Sequence, residues 1–188
     1  MLNLPNLLTL SRIAAIPLVV GCFWLDRDWA QWLSMILFVA ACVTDWFDGY
    51  FARRYHQISR FGRFLDPIAD KLLVAAALVM LVNTGQLHGI HVLAALIILA
   101  REILVSGLRE FLAELRVGVP VSQLAKWKTG AQMVAIAVLL LGDAAPPMVE
   151  QAGLVLIWIA AGLTLITGYD YLRTGLHHMA EDPPGGAE

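Results

Sequence analysis

Asp45, Asp48, Asp66 and Asp70 are the residues in this chain whose type and spacing could do chemistry. Asp45 and Asp48 are three residues apart and Asp66 and Asp70 four, so each pair shares one face if its segment is helical. At about 100° per residue, with Asp45 as origin, Asp48 lies about 60° to one side, Gly49 about 40° to the other and Ala52 within about 20°. Arg53 lies about 80° away, while Phe47, Tyr50, Phe51 and Arg54 fall on the far side. That face combines carboxylates, an arginine and residues small enough to admit a ligand. Two like charges about 4 Å apart repel by roughly 4 kcal/mol at an effective dielectric near 20. Arg53 and Lys71 offset part of this. Clustered carboxylates most simply bind a hard divalent cation, Mg²⁺ or Mn²⁺. Two such ions bridged by carboxylates are a recurring device for displacement at phosphorus. A single Asp–Arg pair at a helix end is commonly a structural ion pair. Four aspartates at these spacings, closing and opening apolar segments, point to function instead.

The elements that must position these acids are apolar. The chain has 188 residues, 59% of them hydrophobic and only 15% charged, with a mean hydropathy of +0.71. Soluble domains carry about 25% charged residues, so composition predicts a membrane protein, and the lengths of its apolar runs an all-α integral one. A helix crosses the hydrocarbon core in roughly 20 residues. Six spans are expected: Leu7–Leu25, Ala30–Arg53, Pro67–Val82, Ile90–Leu108, Trp127–Leu141 and Val149–Tyr171. The third and fifth are short and must extend into their flanks. Residues 1–176 read as one catalytic domain, and residues 177–188, ending in "EDPPGGAE", as a disordered tail. No cleavable leader is expected, because Arg12 interrupts the first apolar run.

Cations orient the spans. Arg53, Arg54, Arg60, Arg63 and Lys71 flank the connection between spans two and three. Arg109, Arg116, Lys126 and Lys128 flank that between four and five, and Arg173 follows the sixth. The opposite connectors carry only Arg27. The positive-inside rule then puts the basic side, and both termini, in the cytoplasm. Span two ends on the side where span three begins, so both aspartate pairs share one depth. Pro67 admits two readings. It either opens the third helix with Asp66 as cap, or sits inside an earlier-starting helix, which would add Gly62 to the acidic stripe.

The pattern Asp45-x-x-Asp48-Gly49-x-x-Ala52-Arg53, eight residues, Gly62-x-x-x-Asp66-x-x-x-Asp70 resembles the signature of the CDP-alcohol phosphatidyltransferase family at every motif position. "LNLPNLLTLSRI", "AREILVSGLREFLAE" and "KWKTGAQMVA" look like bacterial members whose acceptor is sn-glycerol 3-phosphate. The resemblance implies a six-helix, homodimeric enzyme of the bacterial inner membrane with its active site facing the cytoplasm. It implies that CDP-diacylglycerol and glycerol 3-phosphate react there with release of CMP. Carried over by position, Asp45, Asp48, Asp66 and Asp70 would hold two divalent cations, and Asp70 would be the general base. Asp48, Gly49, Ala52, Arg53 and Gly62 would line the CDP-diacylglycerol pocket.

An acceptor bearing a second phosphate calls for cations beyond the signature. Arg101, Arg109, Lys126, Lys128 and Arg12 are the candidates, set against interfacial snorkelling for Arg109 and Lys128 and neutralisation by Glu102 for Arg101. Inositol phosphate, serine or phosphatidylglycerol as acceptor is the nearest alternative. Aspartate-rich prenyltransferases and divalent-cation transporters are alternatives of other classes. The first normally separates its acidic motifs widely, and the second buries its acids near the bilayer midplane. A net charge of −2 argues against a nucleic-acid partner. Cys22 and Cys42 lie in apolar runs and are expected to be free, and the five histidines are expected at the surface. Gly107, Gly130, Gly153 and Gly162 are candidates for close helix contacts or a dimer seam.

Overall fold

The computed structural model describes residues 4–25, 27–55, 60–114 and 123–180, and within these the side chains of all but 4–6, 46–55, 60–61, 63, 114 and 177–180. Six α-helices follow in order: α1 (Leu4–Cys22), α2 (Asp28–Tyr55), α3 (Arg60–Asn83), α4 (His91–Glu114), α5 (Gln123–Leu139) and α6 (Pro147–Ala180). A short 3-10 turn, Gly142–Ala144, links the last two. Each helix overlaps one of the apolar segments expected from sequence, but the ends differ: α1 stops at Cys22, α4 starts at His91 and α5 stops at Leu139. α3 begins at Arg60, so Pro67 lies inside it and Gly62 falls on the acidic stripe. Pro67 forfeits the backbone bond to the carbonyl of residue 63, and Lys71 Nζ reaches back to the Pro67 carbonyl at 3.2 Å. α6 continues through Ala180, beyond Tyr171 where the sixth span was expected to stop. Residues 181–188 lie outside the described part of the chain.

The helices form two groups. α1 packs along α2 and α3, and α6 packs along α4 and α5; a thinner seam of α2 and α3 against α5, with α3 touching α4, joins the halves. One core runs through all six, from Val19 and Phe38 through Leu78 and Leu81 to Ile98, Ile136 and Ile157. Ala77, Ala94, Ala135 and Ala160 are completely buried there. Such small residues let helix backbones approach closely. Gly153 does the same on α6, where a Cβ would stand 2.8 Å from a Leu139 methyl. A Cβ added at Gly107, Gly130 or Gly162 would meet nothing within 4 Å among the described residues, so these three make no close helix contact there.

Outward faces are apolar on every helix: Leu18, Ile36, Val79, Ile103, Val134 and Val155 are each more than half exposed. Soluble monomers rarely show apolar surface on this scale; this surface is consistent with a membrane protein. His91–Ala113 and Pro147–Leu176 are each long and apolar enough to cross a bilayer unaided. α2 and α3 reach comparable lengths, but acids and arginines interrupt their apolar character at one end.

The end of the molecule away from the aspartates is held by polar contacts. Gly85 (φ 81°) turns the chain out of α3, with Leu87 N–H closing onto the Leu81 carbonyl at 3.0 Å. Gly142 (φ 47°) sits so close to Gln86 that any side chain would collide with it, and Gln31 Oε1 accepts from Ala144 N–H at 2.7 Å. His91 departs from its expected surface role: its Nδ1 accepts from Trp158 Nε1 at 3.0 Å, joining α4 to α6. Cys22 and Cys42 are free, as expected.

Candidate active site

The acids gather where α1 crosses α2 and α3. Thr9 and Arg12, one turn apart on α1, are both buried although the surrounding helix is apolar. Arg12 Nη1 lies 2.6 Å from Asp45 Oδ1 on α2 and 3.9 Å from Asp66 Oδ1 on α3. Thr9 Oγ1 donates to that same Asp66 oxygen at 2.9 Å. One α1 face thus ties both acidic helices together. The carboxylates remain open on their other side, Asp45 at 34% and Asp66 at 45% side-chain exposure. Asp70, one turn further along α3, is half-buried and close enough to Asp45 and Arg12 to feel both charges. Gly62 is half-buried one turn before Asp66. Asp48, Gly49, Ala52 and Arg53 lie on α2, but their side chains are outside the described part of the structure.

This arrangement suits a hard cation in its donor chemistry. Among the described side chains, those that meet Arg12 here are the carboxylates of Asp45 and Asp66, hard oxygen donors. Two of these oxygens already face a single cationic nitrogen, that of Arg12. Among the described side chains, however, no three acids, histidines or cysteines close on one point.

A second cluster forms where α4, α5 and α6 meet. Arg101 Nη1 lies 3.3 Å from Glu102 Oε1, and Lys128 Nζ donates to the same oxygen. Arg101 Nη2 donates to Thr167 Oγ1 at 3.4 Å, and its guanidinium stands 5.8 Å from the centre of the Tyr171 ring. Lys128 is buried, which corrects the snorkelling alternative, and Glu102 pairs with Arg101 as one sequence reading allowed. Arg109 and Lys126 are exposed, and no described bond ties them to this cluster. Arg12, expected among the acceptor cations, sits with the acids instead. Asp70 links the two clusters electrostatically, feeling Glu102 and acting on Lys128.

Sequence reasoning missed Thr167, Gly168 and Tyr171. Thr164, Thr167, Gly168 and Tyr171 follow one another at i, i+3, i+4 and i+7. That is a polar stripe on one face of an otherwise apolar helix, and the signal was readable.

Comparison with known proteins agrees with the motif. The family model for CDP-alcohol phosphatidyltransferase matches residues 2–166. A protein of Rickettsia bellii is 50% identical over 91% of this chain and 94% of its own length. One of Salmonella choleraesuis is 49% identical over 90% and 93%, and one of Cereibacter sphaeroides is 41% identical over 96% and 98%. All three are named CDP-diacylglycerol–glycerol-3-phosphate 3-phosphatidyltransferase. With the signature intact and the match running through five of the six helices and into the last, the chain belongs to the CDP-alcohol phosphatidyltransferase family.

Proposed function

We propose that this protein is a phosphatidylglycerophosphate synthase, transferring the phosphatidyl group of CDP-diacylglycerol to sn-glycerol 3-phosphate with release of CMP. The observation that carries this reading is the presence of two oppositely charged clusters among the described residues, one tying α1 to α2 and α3 and one joining α4 to α5 and α6. One is rich in carboxylates and suited to a metal-bound diphosphate. The other is rich in cations and suited to the acceptor's phosphate.

Asp45, Asp48, Asp66 and Asp70 would hold the divalent cations, Mg²⁺ or Mn²⁺. Such ions neutralise a diphosphate and the charge that builds on departing CMP. The chain's own residues do the rest. Gly49, Ala52 and Gly62 leave room for the nucleotide against the α2 and α3 backbones, and Arg53 pairs with a phosphate oxygen. Arg101 and Lys128 orient glycerol 3-phosphate by its phosphate. Arg109 and Lys126, exposed further out, raise the local concentration of the dianion. Asp70 accepts the proton of the glycerol hydroxyl as that oxygen bonds to the phosphatidyl phosphorus and the bond to CMP breaks. Arg12 balances Asp45 and Asp66 and keeps the acidic helices together.

A lipid donor and a water-soluble acceptor meet most simply at an interface. We accordingly place residues 1–176 in the bacterial inner membrane as a single six-span domain; residues 177–180, expected in a disordered tail, instead continue α6. Both termini and the site face the cytoplasm, and two copies form the working unit. The test is release of CMP from CDP-diacylglycerol by membranes holding the protein. Glycerol 3-phosphate, inositol phosphate, serine and phosphatidylglycerol are compared as acceptors, with and without Mg²⁺ or Mn²⁺. Metal-dependent release with glycerol 3-phosphate alone is expected. Release with a different acceptor, or none with any, overturns the assignment.

A further inference from the structure

We propose that Glu102 is a positioning residue for the acceptor's phosphate, holding Arg101 and Lys128 at a fixed separation; this rests on the acceptor pocket proposed above. Arg101 and Lys128 come from different helices, α4 and α5, and both side chains are largely shielded from solvent. Two neighbouring buried cations would part or turn outward unless an anion lay between them. Glu102 Oε1 is that anion, receiving both from one oxygen.

Arg101 is also held from α6, by the Thr167 hydroxyl and the Tyr171 ring. Its stem runs over Gly168, where an added Cβ would come within 3.0 Å of Arg101 Cγ. Lys128 has no comparable second anchor among the described residues, so its position depends on Glu102. Arg101 Nε is buried and has no acceptor among the described residues. An unmet buried donor is destabilising, and a phosphate oxygen arriving beside the cations would meet it. The cluster therefore keeps donors available for an anion while one carboxylate sets their spacing.

The experiment measures KM and kcat for both substrates by CMP release. Wild type is compared with Arg101→Ala, Lys128→Ala, Glu102→Gln and the double variant Glu102→Gln/Lys128→Ala. Glu102→Gln is expected to raise the KM for glycerol 3-phosphate about tenfold or more, with a smaller change in kcat and an unchanged KM for CDP-diacylglycerol. The double variant should be no worse than Lys128→Ala alone, because the two residues act as a unit. If Arg101→Ala and Lys128→Ala raise this KM but Glu102→Gln does not, the positioning role is overturned and the pocket stands. If neither cation variant raises it, the pocket itself is wrong, and this proposal falls with it. Should Glu102→Gln fail to fold, Glu102→Asp decides. It keeps the charge but withdraws the oxygen by one methylene, and about a threefold rise in KM at constant kcat supports the proposal. An unchanged KM in that variant overturns it.

Discussion

The first three helices and the last three solve the same electrostatic problem with opposite signs. In the α1–α3 half, acids from two helices are made compatible by one buried cation, Arg12. In the α4–α6 half, cations from two helices are made compatible by one carboxylate, Glu102. Among the described residues each cluster keeps an excess of its majority charge, which favours ligands of opposite sign at the two places. Asp70 stands within electrostatic reach of both. The lesson is that one counter-charge can bind helices together and still leave charge over for a ligand. A fully neutralised cluster would only be structural.

The largest effect should come where the halves meet. Asp70→Asn keeps the shape but removes the charge and the proposed base, and CMP release should fall by about 10²–10⁴-fold. An unchanged unfolding temperature and retained binding of CDP-diacylglycerol would assign that loss to chemistry. Turnover near that of the wild type would end the comparison, since Asp70 would then serve neither half.

A middle-sized effect is expected at Arg12. Breaking a buried pair by removing one partner costs about 3–5 kcal/mol, and the partial exposure of Asp45 reduces this. For a chain of this size each kcal/mol lowers the melting temperature by about 2–4 °C. Arg12→Gln should therefore melt several degrees early in chelator, and added Mg²⁺ should recover more stability in the variant than in wild type. Equal Mg²⁺ responses would show that Arg12 and a metal do not balance the same acids.

The smallest effects belong to the exposed cations. Lys126→Ala and Arg109→Ala should raise the KM for glycerol 3-phosphate by no more than about fivefold, since exposed charges contribute about 0.2–1 kcal/mol. The rise should shrink as salt increases. A salt-independent loss as large as that of Lys128→Ala would move these residues from the surrounding field into direct contact.

Much of this was legible without coordinates. Apolar runs parted by "NTGQLHG" and "GDAAPP" located the helices, and the spacing of the aspartates pointed to the place where Asp45 and Asp66 meet Arg12. Helix ends were less legible. Pro67 tolerates either the first turn or the interior of a helix, and only the course of residues 60–66 decides between them. Lys126 and Lys128 illustrate the same limit at the other cluster. Two positions apart on one helix, they read alike in sequence, yet one is exposed and the other buried against Glu102.

By itself the sequence determined what is local: six helices from runs of apolar residues, a carboxylate face from i,i+3 and i,i+4 spacing, and the family from a signature contained within 26 residues, Asp45 to Asp70. Tertiary structure alone decided which charges meet. Arg12 and Asp45 are far apart in the chain, as are Arg101 and Thr167, and helical periodicity orients a side chain around its own axis without selecting the neighbour it faces. That selection comes from how α1 packs on α2 and α3, and α6 on α4 and α5. Packing therefore turned an arginine expected at the acceptor into the counter-charge of the acids, and a neighbouring glutamate into the link between two cations.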